Sequence, residues 1–594
     1  MNRLSHLFVV SLCATLSTMS VAAAAQKRPN IVVLVADDWG YSDVGSFGSE
    51  IATPNIDSLA KEGVRFADFH VAASCSPTRS MLLTGVDNHR NGVGNMPETM
   101  PAEHFGKPGY DGVLNDRVIT VASLLKDSGY HTYITGKWHL GKTAGTLPNN
   151  RGFERSFIQA DSGSDNWQER PYAPLYDKAN WFENGQPAHL PKDYYSSTFI
   201  VDRAIDYITA DSHDQQPFFA YLGFQANHVP IQAPREVIDK YRGVYKDGWD
   251  ALRKARHARA IELGLIPEGS GMVTMASTGD WNALRDEQKR YEARRMEVYA
   301  GMAETMDREV GRLIDHLKAT GEYDNTLFVF LSDNGSEPTD PYDITAVKLW
   351  LQFNYSRDID RLGGKGAFSS IGPSWASAVA APLSGYKFFA GEGGLRTPLI
   401  ISGVPGIQAN QISRAFTHVT DIVPTLLEAA GVKAHDGFYR GKAVEPLIGS
   451  SLVPVLQGKS ELVHSPQKAI GYELSGSAAL FKGDYKLVKN IEPVGDGQWH
   501  LYNLKTDPGE VFDLQQQMPE RFVSMQVDYT EYARANNVLP MPVGYDYKRQ
   551  GQLYALKHVL IPKLKAAWPP ALVGLLLLAG ALVVWRRCRN ERAS

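Results

Sequence analysis

Four short strand-like runs break off into polar clusters, and that pattern leaves few folds open. Pro29–Val35 is a continuous, largely β-branched stretch followed at once by Asp37-Asp38. Tyr130–Thr135 runs into Gly136-Lys137-Trp138-His139, Phe218–Phe224 into Gln225-Ala226-Asn227-His228, and Thr326–Leu331 into Ser332-Asp333-Asn334-Gly335. A strand apolar on both faces belongs inside a sheet covered on both sides, the usual setting of parallel strands. Between the runs lie helical patterns. Thr53–Gly63 opens with Asp57 in its first turn, Met296–Ala319 repeats apolar residues at helical spacing (Val298, Met302, Met306, Val310, Leu313, Leu317), and Val419–Ala430 follows a strand at Pro398–Ser402. The alternation predicts an α/β fold with a mostly parallel central sheet flanked by helices. In such sheets ligand sites gather at the carboxyl ends of the strands, which is where the polar clusters fall.

The texture changes near residue 465. Ala479–Val488 reads as a hairpin turning at Gly483-Asp484, and Trp499–Leu504 as another short strand. The expected division is a catalytic α/β domain over 27–464, a smaller α+β subdomain over 465–550 and a linker over 551–570. Arg235 to Asp280 is rich in charge and poor in strand signal, and reads as an insertion near the site. Residues 160–195 and 235–280 are the candidates for loops that set specificity.

Both ends are apolar. Arg3, the run Leu7–Leu16 and the alanines before Gln26 form a secretory signal expected to be cleaved near Ala25, an uncleaved anchor being the alternative. Residues 571–585 are apolar and bracketed by Trp568 and Trp585, with Arg586, Arg587, Arg589 and Arg592 behind them. This reads as a membrane tail with a basic cytoplasmic end over 586–594, although about 20 residues is the usual span and a buried terminal helix is the alternative. The main domain is then periplasmic or extracellular. A formal net charge of −4 gives no basic face for nucleic acid.

Cysteine usage sharpens the picture. Of three cysteines, Cys13 falls in the signal and Cys588 beyond the tail, so Cys75 stands alone in the exported body. A lone thiol in an oxidising compartment is a liability unless it is buried or used. Its surroundings read Cys75-Ser76-Pro77-Thr78-Arg79-Ser80-Met81-Leu82-Leu83-Thr84-Gly85.

That stretch resembles the signature of the type I sulfatases, the arylsulfatase-like branch of the alkaline phosphatase superfamily, in which the cysteine of a Cys-x-Pro-x-Arg run is oxidised to formylglycine. The resemblance extends from Asn30 to about Leu514, with Asp421-Ile422-Val423-Pro424-Thr425 and Asp507-Pro508-Gly509-Glu510 as weaker features, and implies sulfate monoester hydrolysis. A hydrated aldehyde offers one hydroxyl to attack sulfur and a second to expel sulfate, a release route that serine lacks. Cys75 precedes a probable helix with Pro77 in its first turn, so amide donors would face the sulfate. Arg79 lies one turn on.

The resemblance implies the other roles as well. Asp37-Asp38 and Asp333-Asn334, with the Cys75 product, would hold a hard cation, Ca2+ or alternatively Mg2+. The glycosylation pattern Asn334-Gly335-Ser336 is discounted, because modification there would block the site. Gly136-Lys137-Trp138-His139-Leu140-Gly141 would supply Lys137 to the sulfate oxygens and His139 as the base during release. His228 would contact sulfate and help to protonate the leaving oxygen, although the family usually has proline where this chain has Asn227. Lys387, five residues before Glu392-Gly393-Gly394-Leu395-Arg396-Thr397-Pro398, would neutralise charge on the leaving group.

The expected partners are a sulfate ester, a formylglycine-generating maturation enzyme and, through the tail, a membrane. Two other functions share these residues: a phosphonate or phosphate ester hydrolase with the same nucleophile, and a non-catalytic binder of sulfated glycans.

Overall fold

The computed structural model describes residues 27–214 and 216–566. The signal expected over 1–25 and the tail expected over 571–585 lie outside the described residues. Among the described residues no helix is long and apolar enough to cross a membrane.

The elements that position the site are, in chain order, β1 (Asn30–Ala36), α1 (Cys75–Thr84), β2 (His131–Lys137), β3 (Phe218–Gly223), α2 (Asp286–Ala319), β4 (Thr326–Ser332), α3 (Thr345–Asn354), β5 (Leu399–Ser402) and α4 (Tyr547–Ala555). Strands β4, β1, β3 and β2 lie side by side and parallel at the centre of a ten-stranded sheet. The register aligns their ends: Val35 pairs with Leu331 on one side and with Gly223 on the other, and Gly223 in turn with Gly136. The polar clusters therefore meet along one edge.

Every residue of β1 is buried, and successive side chains serve opposite cores. Val32 and Leu34 join Met302, Met306, Val310 and Leu313 of α2 on one face. Ile31, Val33 and Val35 join Met81, Leu82 and Leu83 of α1 and the helix Ile422–Ala429 on the other. This double covering is what the unbroken apolar run of β1 requires.

Towards its margins the sheet mixes directions. β5 runs antiparallel to β4. The chain leaves β4 at the carboxyl edge, builds its part of the site there, and re-enters the sheet from the same edge, so β5 must run back down. The lysine motif begins inside the sheet, because β2 extends through Gly136 and Lys137 instead of stopping at Thr135. The long helix likewise starts earlier, at Asp286, with a polar first turn that carries no apolar periodicity.

Residues 470–503 form a four-stranded antiparallel meander, with Lys482 and Tyr485 paired across the Gly483-Asp484 turn. The helix Pro519–Ala535 packs on it. Side chains stitch this sheet to the region of α1. Tyr472 Oη accepts from the Ala73 amide at 3.0 Å, and His89 is held between Asp87 (3.1 Å) and Glu473 (2.6 Å).

Two expectations need correction. The stretch from 551, expected as a linker, continues α4 and stays helical to residue 566, with Val559 buried and Leu553, Leu556 and Leu560 lining a cavity while still partly open to water. The 235–280 insertion forms the helix Gly248–Glu262, and none of its described residues lines that cavity. It meets the site from behind, through Arg256 Nη1 on Asp43 Oδ1 at 2.6 Å and through Ser277 on the hydroxyl of Tyr386, the neighbour of Lys387.

Candidate active site

Cys75 opens α1, a ten-residue helix buried along its whole length. Pro77 sits in the first turn, where no intrahelical amide bond is lost, and Gly85 ends the helix in the left-handed region with its amide on the Met81 carbonyl at 2.8 Å. The first residue of α1 is thereby fixed beneath the carboxyl ends of β1 and β4. Cys75 Sγ lies 3.6 Å from Asp37 Oδ1.

One ligand atom from each of Asp37, Asp38, Cys75 and Asp333 lies within 4.8 Å of the others, and all four residues are buried. Asn334 donates from Nδ2 to Asp38 Oδ1 at 2.6 Å. Asp38 Oδ2 and Asn334 Oδ1 are buried without a hydrogen-bond partner. Two orphaned oxygens beside three crowded carboxylates are a hard-cation donor set. Burial and Asp333 push Asp37 up to about 7, whereas Lys387 holds Asp38 down at about 2 against the effect of burial.

Each acidic residue has its own cation. Lys137 Nζ lies 2.6 Å from Asp37 Oδ2, and Lys387 Nζ lies 2.7 Å from Asp38 Oδ1 and 3.0 Å from Glu337 Oε2. Arg79, wholly buried, donates from Nε to Asp333 Oδ2 at 2.8 Å and from Nη1 to the Lys137 carbonyl at 3.1 Å. Burial and Asp333 raise the Cys75 thiol well above its ordinary value. An unmodified thiol is therefore neutral here and a poor nucleophile.

The backbone is strained where these groups converge. Asp38, His139 and Phe388 adopt left-handed conformations, with φ of 63°, 54° and 71°. Such residues cost about 1–3 kcal/mol each and persist only where the surroundings hold them. The Phe388 amide donates to the Ala73 carbonyl at 2.8 Å, and the Lys387 amide to the Ser336 carbonyl at 3.1 Å, which ties the lysine to the nucleophile segment and to the β4 loop. Gly335 is needed for the same junction: a Cβ there would lie 1.9 Å from the Gly393 carbonyl oxygen.

Cys75, His228 and Lys387 line a cavity of about 1090 Å3. His228 Nδ1 lies 2.7 Å from the Val229 carbonyl oxygen. Since a carbonyl only accepts, Nδ1 carries the proton and Nε2 is left as the acceptor. Burial and Lys137 hold this imidazole neutral. Arg79, Lys137 and His139 are packed behind the cavity floor, with both ring nitrogens of His139 buried and unpartnered. Burial lowers the His139 pKa below its ordinary value.

Sequence reasoning missed several neighbours. Glu98 lines the cavity with Oε2 3.6 Å from His139 Nε2, beyond hydrogen-bond reach, while Oε1 accepts from Tyr176 Oη at 2.7 Å. Tyr172 meets His228 edge-on, and Glu337 shares Lys387. Behind the aspartates, Tyr299 Oη donates to Asp43 Oδ2 at 2.6 Å. Single acids and tyrosines in loops give no spacing by which to find them.

The Sulfatase family model matches residues 29–432. The chain is 40% identical over 554 residues to an uncharacterized sulfatase of Schizosaccharomyces pombe, covering 90% of this chain and 99% of that one. It is 39% identical over 442 residues to an arylsulfatase of Klebsiella aerogenes, covering 74% and 94%. Among solved structures, Ps i-CgsB in complex with k-i-k-neocarrahexaose superposes with a TM-score of 0.61 at 23% identity, over 89% of this chain and 98% of that one. A PsFucS1 sulfatase from Pseudoalteromonas sp. superposes at 0.56 with 20% identity, over 86% and 90%. At these identities the structural likenesses speak for the fold alone.

Proposed function

The chain belongs to the sulfatase family, as a type I member of the alkaline phosphatase superfamily, and from that premise we propose that it hydrolyses sulfate monoesters to an alcohol or phenol plus sulfate, with Cys75 as the precursor of a formylglycine nucleophile. The observation that carries the reading is Cys75 itself. It is the sole cysteine among the described residues, sits at the start of a buried helix beside the carboxylates of Asp37, Asp38 and Asp333, and faces a cavity shared with His228 and Lys387.

Formylglycine, when formed, supplies a geminal diol of which one hydroxyl takes the sulfuryl group and the other drives its release. The rest falls to this chain's side chains. Asp37, Asp38, Asp333 and Asn334, with the modified residue 75, would hold a divalent cation that lends positive charge to the sulfate oxygens. A set of several carboxylate and amide oxygens suits Ca2+, which takes more oxygen ligands than Mg2+. Arg79 and Lys137 pair with Asp333 and Asp37 and keep their positive charge towards the anion. Lys387 neutralises charge on the leaving oxygen. An anionic ester against His228 Nε2 raises its proton affinity, the condition for protonating that oxygen. His139, neutral and unpartnered, takes the proton of the diol during release.

The reading includes export through the N-terminal signal, maturation by a separate formylglycine-generating enzyme, and tethering on the periplasmic or extracellular face by the C-terminal apolar run.

The test joins two measurements on protein made in its native host. The tryptic peptide containing Cys75 should be lighter than its unmodified form by the exchange of one sulfur and two hydrogens for one oxygen. The same preparation should turn over 4-nitrophenyl sulfate faster than 4-nitrophenyl phosphate. Unmodified Cys75 without turnover would favour a binder, and faster phosphate cleavage a phosphate ester hydrolase.

A further inference from the structure

The cavity above Cys75 divides into two zones. Its closed end is polar, with Cys75, Glu98, His228, Glu337 and Lys387. Farther out it runs between the loop Pro171–Tyr176, helix α3 and helix α4 with its continuation Leu556–Leu560. The walls there are dominated by apolar side chains, among them Leu175, Val347, Trp350, Leu553 and Val559. The lining cations of this outer zone are Arg170, just before the loop, Lys548 and Arg549 of α4, and Lys563 beyond it, and Arg170 is engaged with Asp165 and the Tyr355 ring. At the mouth α3 turns Phe353 and Leu349 to solvent, 83% and 57% exposed, opposite Leu560 at 50%.

A multiply sulfated sugar needs hydrogen-bonding or cationic partners along its whole length, because each buried hydroxyl or sulfate left without one is costly. This channel gathers such partners at its inner end; beyond it the lining is a mainly apolar sleeve, and two of the four lining cations are already paired within the protein, Arg170 with Asp165 and Lys563 with Asp177. The sleeve is also far larger than a single aromatic ring needs. We propose that the substrate is the sulfate monoester of a long hydrophobic alcohol or phenol, an amphiphile whose sulfate sits at Cys75 and whose apolar body lies along α3 and α4. The proposal rests on the sulfatase reading and specifies its substrate class.

The test uses the full-length, mature, calcium-supplemented enzyme and a series of 4-alkylphenyl sulfates from ethyl to decyl, each below its critical micelle concentration. The leaving phenol keeps nearly the same acidity throughout, so only apolar length varies. Burial of each methylene should lower KM about threefold until the sleeve is filled, making the decyl ester at least about 100-fold better in kcat/KM than the ethyl ester. In a Val559→Asp variant with an unchanged unfolding transition, the dependence of KM on chain length should flatten. A flat dependence in the wild-type enzyme, or preference for a sulfated disaccharide over the decyl ester, overturns the proposal while hydrolysis of the ethyl ester still upholds the sulfatase reading. Failure to cleave any of these esters overturns both.

Discussion

The ammonium of Lys387 rests 2.7 Å from Oδ1 of Asp38, joining the end of β1 to a segment 349 residues later in the chain. The neighbouring Asp37 has an equivalent partner in Lys137 at 2.6 Å, so two adjacent carboxylates are each met by a buried lysine from a different part of the chain. Removing Lys387 therefore withdraws both a charge near the leaving group and the partner of a buried acid. Lys387→Ala should lower kcat for 4-nitrophenyl sulfate by about 100–1000-fold. Lys387→Arg, which keeps the charge, should recover part of the loss. Equal activity in the alanine variant and the wild type would remove Lys387 from the mechanism.

The orphaned oxygens of Asp38 and Asn334 predict dependence on a divalent cation for stability as well as for turnover. Dialysis against a chelator should abolish hydrolysis and lower the unfolding midpoint. Calcium at 100 times its dissociation constant should restore about 2.7 kcal/mol of stability. Asp333→Asn should weaken calcium binding measured by titration calorimetry, and undiminished affinity would exclude Asp333 as a ligand.

His139 must be neutral to accept a proton, and burial holds its pKa below 6.5. Accordingly kcat, which includes sulfate release, should rise with pH along a limb centred below 6.5 and level off above it. Glu98 opposes that lowering, so Glu98→Gln should move the limb to still lower pH. His139→Asn should erase the limb and cost about 100-fold or more in rate. A limb unmoved by either substitution would assign it to another group.

Stability should carry its own pH signature. Against the effect of burial, the carboxylates of Asp87 and Glu473 raise the pKa of His89 to about 9. A group with a raised folded pKa stabilises fully below its unfolded value near 6.5 and loses that contribution as pH climbs through the folded value. Unfolding free energy should therefore decline between about pH 6.5 and 9, by about 3 kcal/mol from this group. His89→Gln should flatten that decline in denaturant titrations, and an unchanged slope would deny His89 the role.

The sheet and most of the site segments were legible because each segment directly follows an apolar strand, where backbone geometry converts sequence adjacency into spatial adjacency. Asp37, Lys137, His228 and Asp333 come together for that reason. Lys387 has no strand before it and was found only by resemblance. Glu98 and Tyr172 were invisible, being single residues on irregular loops held by tertiary contacts. The 235–280 insertion misled because charge density signals exposure without saying to what; Arg256 is buried against Asp43 and Glu50. Helix α4 was missed because a short amphipathic turn next to a polar stretch reads as a connector until the surface it covers is known.

The complete burial of α1 also makes folding a deadline. A small ester reaches Cys75 down the cavity, whereas the ten residues of the helix are enclosed. If a separate protein modifies that thiol by binding the surrounding segment, as proposed above, it would have to act before the helix is packed. A copy that packed first would then stay unmodified, and the working fraction would follow the relative rates of modification and packing.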